Sequence, residues 1–290
     1  MSKPINLMAV LLICAALLPG TGSPFLSASA APLLASAPPM ATATKAFAVL
    51  GGATVTNTGA SSVSGDLGVS PGPAVTGFAS VDGGLGTVTG AIHLNDGVAQ
   101  AAQTDVAAAY VNLAGQNCDT VLSGQDLGGK SLAPGVYCFA TSAQLTGHLE
   151  LDAGGDPDAV WVFQIGSTLT TASESSVAVI NGGKSCNVWW QVGTFATLGT
   201  GTAFVGNILA DQSITLTTGA SITGAALAHS AAVTMDTNSI SKCFGPNAIA
   251  LREVQATSAA GLPYGLGAGA ALLMALGLIV IRRSPGFTRR

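Results

Sequence analysis

Through most of the chain, apolar and polar residues alternate over short stretches that end in Gly, Asn or Asp. A period of two with frequent turn residues predicts short strands, each burying one face. One segment breaks this pattern. Asn95 is a good N-cap, and Val98, Ala102, Val106, Ala109 and Leu113 follow at helical spacing, with Gly115 placed to end the helix. This face is rich in alanine, so the predicted helix can lie close against a sheet.

Between 196 and 240 the strands repeat. Thr197-Leu198-Gly199-Thr200-Gly201-Thr202-Ala203-Phe204-Val205-Gly206 overlays Thr215-Leu216-Thr217-Thr218-Gly219-Ala220-Ser221-Ile222-Thr223-Gly224 at an offset of 18, and Thr234-Met235-Asp236-Thr237-Asn238-Ser239-Ile240 follows at 19. Thr58-Gly59-Ala60-Ser61-Ser62-Val63-Ser64-Gly65 is a related piece near the start. A repeat this short is one coil of a β-solenoid, whose coils bury their inner residues only by stacking. On this reading Leu169, Leu198, Leu216 and Met235 form one inward column. Thr168, Thr197, Thr215 and Thr234 form an adjacent column, and Thr171, Thr200, Thr218 and Thr237 another. Coils stack about 4.8 Å apart, so each column repeats a methyl and a hydroxyl at that interval. Such columns stabilise a solenoid as threonine ladders. They also make a flat face that suits an ordered lattice, ice or a crystalline polysaccharide, better than a flexible ligand.

The two ends differ from the body. Lys3 precedes an uncharged stretch from Pro4 to Leu18, and Ala28-Ser29-Ala30 follows, so residues 1–30 read as a signal peptide. Residues 31–44 hold three prolines without a period and read as a linker, 45–245 as the solenoid domain and 246–260 as a second linker. Residues 261–290 carry an uncharged run from Leu262 to Ile281, then Arg282, Arg283, Arg289 and Arg290. This run matches a bilayer core in length, and the arginines place the tail in the cytoplasm and the body outside. The expected location is therefore extracellular or at the cell surface, with a C-terminal transmembrane or sorting helix as membrane partner.

Composition narrows the function. Asp, Glu, Lys and Arg together make up 8% of the chain, Gly accounts for 38 of 290 residues, and 48% of the chain is apolar. That much apolar residue excludes a disordered chain. Between residues 31 and 260, five cations (Lys45, Lys130, Lys184, Lys242, Arg252) face all fourteen acids, a net −9, which argues against nucleic acid as a partner. Cys118, Cys138, Cys186 and Cys243 remain after the leader, an even number in an exported chain, and read as two disulfides. Of three possible pairings, Cys118 with Cys138 and Cys186 with Cys243 is favoured, the first bracing the segment after the helix and the second closing the repeats. No spacing suits zinc, and no cofactor or small-molecule substrate is indicated. Glu150, Asp152, Asp156 and Asp158 are the nearest approach to an acidic cluster, but Gly-Gly-Asp-Pro-Asp reads first as a turn. His93, His148 and His229 accompany no nucleophile motif, so no enzyme activity is expected. Trp161, Trp189 and Trp190 alternate with valines, which places at least two of them in core or helix packing.

Several motifs occur together in order: Phe47-Ala48-Val49-Leu50-Gly51-Gly52, Gly65-Asp66-Leu67-Gly68-Val69-Ser70-Pro71-Gly72, Leu127-Gly128-Gly129-Lys130-Ser131-Leu132-Ala133-Pro134-Gly135-Val136-Tyr137, Gly166-Ser167-Thr168-Leu169-Thr170-Thr171, Trp189-Trp190-Gln191-Val192-Gly193 and Val233-Thr234-Met235-Asp236-Thr237-Asn238. Over about 46–244 the chain resembles the ice-binding protein family of bacteria, diatoms and cold-adapted fungi. The resemblance implies a mainly β fold: a right-handed β-solenoid of triangular cross-section, built discontinuously, with one long α-helix alongside. It also implies that one flat face adsorbs to an ice crystal surface through a loose Thr-[Ala/Gly]-x-[Thr/Asn] pattern. Thr58-Gly59-Ala60-Ser61, Thr200-Gly201-Thr202-Ala203 and Thr218-Gly219-Ala220-Ser221 approach that pattern but end in Ser or Ala, and Thr171-Ala172-Ser173-Glu174 ends in a charge. The candidate contact residues are Thr58, Ser61, Thr171, Ser173, Thr197, Thr200, Thr202, Thr215, Thr218, Ser221, Thr234, Thr237 and Ser239. The competing expectation is a cell-surface adhesin or structural solenoid that turns the same face to glycan or protein.

Overall fold

The computed structural model describes residues 35–243. Short parallel strands wind around a common core in three files, which make three faces. The first, the helix face, orders its strands Thr120–Val121, Gly135–Phe139, Trp161–Ile165, Val188–Val192, the second halves of Ala203–Ala210 and Ser221–Ala228, Phe47–Gly51, Asp66–Val69 and Ile92–Leu94. The second, the threonine face, runs Ala143–Leu145, Leu169–Thr171, Ala196–Leu198, Ile214–Leu216, Val233–Asp236, Thr54–Thr58 and Ala74–Thr76. The third face holds Ser131–Leu132, His148–Asp152, Ser176–Ile180, the first halves of Ala203–Ala210 and Ser221–Ala228, then Ser239–Ser241, Ser62–Ser64 and Thr87–Val88.

The coils do not follow chain order. The chain enters mid-solenoid at Phe47–Gly51 and winds outward to Ile92–Leu94, and the helix Gly97–Ala114 then carries it to the far end. From Thr120 it winds back until Val233–Asp236 pairs with Thr54–Thr58. The eight strand intervals to be recrossed span about 38 Å. Eighteen helical residues supply about 27 Å of this, and the flanking segments the rest.

Helix packing departs from the expected register at its start. Asp96, not Asn95, is the N-cap: its carboxylate accepts from the amides of Val98 and Ala99, while Asn95 sits at φ 49°. Ala102, Val106, Ala109 and Leu113 are buried as expected, but Val98 is 41% exposed and Ala99 takes the inward place. The small side chains bring the helix close to Phe47, Val162, Trp189, Leu209 and Leu227. Residues 35–43 are held rather than free. Ser36 exchanges hydrogen bonds with the Gln116 side chain, and the Ala41 amide donates to Asp105.

Inside the coils, aromatic rings stack along the axis. Phe163 and Trp190 lie 3.9 Å apart at 8°, with Tyr137 and Phe204 extending the row. Trp161 and Trp190 are fully buried, and Trp189 is 7% exposed beneath the helix. Both expected disulfides are present, Cys118–Cys138 and Cys186–Cys243. Among the described residues no helix is long and apolar enough to cross a membrane; the expected leader at 1–30, linker at 246–260 and transmembrane or sorting segment at 261–290 lie outside them.

Two glycine positions explain the Thr-Gly repeats. Gly59, Gly201 and Gly219 turn the corner out of the threonine face at φ 76°, 68° and 74°, where a side chain is strained. Gly206 and Gly224 face each other at the next corner. A Cβ on Gly224 would lie 2.0 Å from the Gly206 carbonyl oxygen.

Candidate functional site

Six strands of the threonine face follow one pattern, inward apolar, outward polar, inward again, and the seventh, Ala74–Thr76, ends on its outward residue. Ala143, Leu169, Ala196, Ile214, Val233, Val55 and Val75 point into the core. Each is followed by an outward residue, and register aligns these as Gln144, Thr170, Thr197, Thr215, Thr234, Thr56 and Thr76. Six threonines therefore stand in unbroken file over about 24 Å, at the strand spacing. Parallel pairing between rigid, fully buried inner residues keeps the file straight. Neighbouring hydroxyls come within reach where Thr54–Thr58 meets Val233–Asp236, with Thr56 Oγ1 3.5 Å from Thr234 Oγ1.

Of the expected contact residues, Thr197, Thr215 and Thr234 belong to this file. Thr58, Thr200, Thr218 and Thr237 are exposed along its edge, where the chain turns toward the third face. Ser173 is exposed at a corner, and Ser221 and Ser239 pair side by side on the third face. Three others cannot reach a surface. Ser61, Thr171 and Thr202 are 1%, 3% and 0% exposed, and they serve the corner backbone instead. Thr171 and Thr202 bond each other at 2.8 Å, and Thr171 also accepts from the Gly199 amide. Ser61 accepts from the Asn238 amide.

The expected columns are also corrected by two residues at one coil. Leu169 pairs with Ala196 rather than Leu198, so Thr170, not Thr168, joins Thr197. Leu198 does align with Leu216. Thr56, Thr76 and Thr170 were missed, although the triplets Val55-Thr56-Asn57, Val75-Thr76-Gly77 and Leu169-Thr170-Thr171 carry the same inward-outward signal as Ala196-Thr197-Leu198.

Charge is sparse here. Among the outward residues of these seven strands Asp236 is the one carboxylate, and none is a cation. The exposed ring of Phe195, one residue before its strand, interrupts an outer row that includes Thr168 and Ser213. The third face presents a different file: His148, Ser176, Ala203, Ser221, Ser239, Ser62 and Thr87.

In the Glu150–Asp158 segment Asp152 and Asp156 build turns, while Glu150 sits within the strand His148–Asp152 with its carboxylate 3.7 Å from His148. Asp152 accepts from the Gly154 amide and the Asn181 side chain, which hold its carboxyl below the usual carboxylate range. Asp156 caps the amide of Asp158, whose carboxylate pairs with Lys184 at 2.9 Å. His93 bonds the helix cap Asp96, His148 bonds Ser176, and His229 lies 3.3 Å from Asp211. Among the described residues no three His, Cys, Asp or Glu side chains gather at metal-ligand spacing.

These features define a parallel β-solenoid with one regular, nearly uncharged polar face and a helix covering another. Residues 49–241 match the ice-binding-like family model, and the chain belongs to that family. It is 57% identical over 196 residues to an ice-binding protein of Nostoc sp. (strain HG1), covering 67% of this chain and 71% of that protein. It is 31% identical over 207 residues to an ice-binding protein of Flavobacterium frigoris (strain PS1), covering 67% and 72%. Among solved structures, an ice-binding protein from an Antarctic biological consortium superposes with a TM-score of 0.68 at 39% identity, covering 74% of this chain and 96% of that one. The ice-binding protein of the Antarctic ascomycete Antarctomyces psychrotrophicus gives a TM-score of 0.66 at 38% identity, covering 70% and 97%.

Proposed function

We propose that this protein adsorbs to ice through the threonine face, without chemistry, and so restrains ice growth or recrystallisation or holds the cell to ice. The carrying observation is the unbroken file Thr170, Thr197, Thr215, Thr234, Thr56 and Thr76. Its methyls order neighbouring water, its hydroxyls anchor that layer, and the buried partners of each strand keep both at a fixed spacing. Low charge serves the same end, because a hydrated Lys or Asp holds its own water out of lattice positions. The relatives named above are ice-binding proteins, which supports the reading. Nothing in the face favours the adhesin alternative over it.

Export by the 1–30 leader and attachment through the apolar run before the terminal arginines are part of this proposal, with 45–245 as the domain that meets ice. An attached protein of this kind would condition ice beside the cell.

The test is ice-affinity partition of the purified full chain, with Thr215→Tyr and Thr234→Tyr variants alongside. The parent should concentrate in the ice fraction and facet single crystals. Each tyrosine should cut retention by tenfold or more at an unchanged circular dichroism spectrum and unfolding midpoint. Retention that survives both changes would place ice adsorption on another face.

A further inference from the structure

The one carboxylate among the outward residues of the seven threonine-face strands is engaged by its neighbours. Asp236 ends the outward series Thr234, Asp236 on its strand and pairs across with Thr58. Its Oδ2 accepts a hydrogen bond from Thr218 Oγ1 on the preceding coil, and its Oδ1 accepts from Thr237 Oγ1 at 3.0 Å. Nearby hydroxyls behave alike. Thr58 Oγ1 donates to the Met235 carbonyl at 3.3 Å, and Thr217 Oγ1 donates to the Leu198 carbonyl at 2.8 Å. Along this edge each of these hydroxyl protons is committed to a protein acceptor, which leaves the oxygens free to accept from water.

We propose that Asp236 is a positioning residue of the ice-adsorbing face, fixing the hydroxyls of Thr218 and Thr237 so that they meet ordered water as acceptors in one orientation. This rests on the reading of the threonine face given above. A free threonine hydroxyl samples three staggered positions, and a lattice that accepts only one must select it. Presetting each hydroxyl is then a factor of about three in binding, and presetting two about tenfold. It also explains how a charge is tolerated on this face. The carboxylate spends an acceptor site of each oxygen on a threonine and so holds less water of its own. The hydroxyl of Thr218 foremost, then that of Thr237, keeps its carboxyl below the usual carboxylate range, so it stays an acceptor at neutral pH.

The experiment compares Asp236→Ala and Asp236→Asn in the full chain, each also in a Thr218→Val/Thr237→Val background, with Thr215→Tyr as a control on the face itself. Ice retention and thermal hysteresis are read beside the unfolding midpoint. Asp236→Ala should lower retention about three- to tenfold, and Asp236→Asn, which keeps one acceptor oxygen, should restore part of it. In the valine background Asp236→Ala should have no further effect, because the hydroxyls it positions are gone. Full retention in Asp236→Ala, or a loss undiminished in the valine background, would overturn the assignment, and the asparagine variant keeps the test intact should the alanine variant misfold. If Thr215→Tyr abolishes retention while the Asp236 variants bind as the parent does, only this inference fails. If Thr215→Tyr binds normally, the face itself has been misassigned.

Discussion

Thr56 and Thr234 lie 178 positions apart in the chain and stand on adjacent strands with their hydroxyl oxygens 3.5 Å apart. Val55 and Val233 pair directly beneath them. The threonine file therefore crosses the junction between the first and last coils without a change of spacing. Thr56→Tyr should reduce ice retention as severely as Thr215→Tyr, tenfold or more in the partition assay, with the unfolding midpoint unchanged. Full retention by the Thr56 variant would confine the contact to the coils on one side of the junction.

The two disulfides should differ in weight. Cys186–Cys243 spans 57 residues and Cys118–Cys138 spans 20. Chain-entropy scaling gives about 4 kcal/mol for the longer loop and about 3 kcal/mol for the shorter. The longer one also ties the end of the last coil, which carries Thr234, to the coil of Val188–Val192. Denaturant unfolding of the paired Cys→Ser variants checks the order, and the Cys186/Cys243 pair should lose ice retention at a lower denaturant concentration.

Acid should destabilise the domain over a defined range. The amide of Gly77 holds the Asp82 carboxyl below its usual range, the amide of Ala99 does so for Asp96, and the amide of Gly154 for Asp152. A carboxylate whose folded value is depressed binds its proton more readily in the unfolded chain. Its contribution is complete above about pH 5 and disappears as pH falls through about 4 toward the lower folded values. Thermal unfolding should show a flat midpoint from pH 8 to about 5 and a decline below that. Asp96→Asn, which still caps a helix, should flatten part of the decline.

Much of the fold was legible because a solenoid repeats its physics locally. Ala196-Thr197-Leu198, Ile214-Thr215-Leu216 and Val233-Thr234-Met235 each state which way their side chains point. The helix was legible in Ala102, Val106, Ala109 and Leu113. Its first turn was not, since Asn95 and Asp96 are equally good caps by residue type and the carboxylate decided between them by reaching two amides. The error at Leu169 has a similar origin. Offsets of 18 and 19 hold where coils are short, but the coil from Leu169 to Ala196 includes an excursion through Asn181–Asn187. Register there is set by backbone pairing, not by a constant period. Burial of Thr171, Thr202 and Ser61 escaped notice because threonine and serine serve equally as surface groups and as plugs for corner amides.

The meeting of first and last coils ties competence to completion. A ribosome that has delivered residues up to Ala228 has made Thr56, Thr76, Thr170, Thr197 and Thr215, yet the two groups still lack the strand that joins them. Only when Val233–Asp236 seats between Ile214–Leu216 and Thr54–Thr58 does one continuous surface exist. On the proposed ice-contact face, a truncated or half-unravelled molecule would thus offer two short patches in place of one long one, and the crystal itself would act as an inspector that retains the finished product.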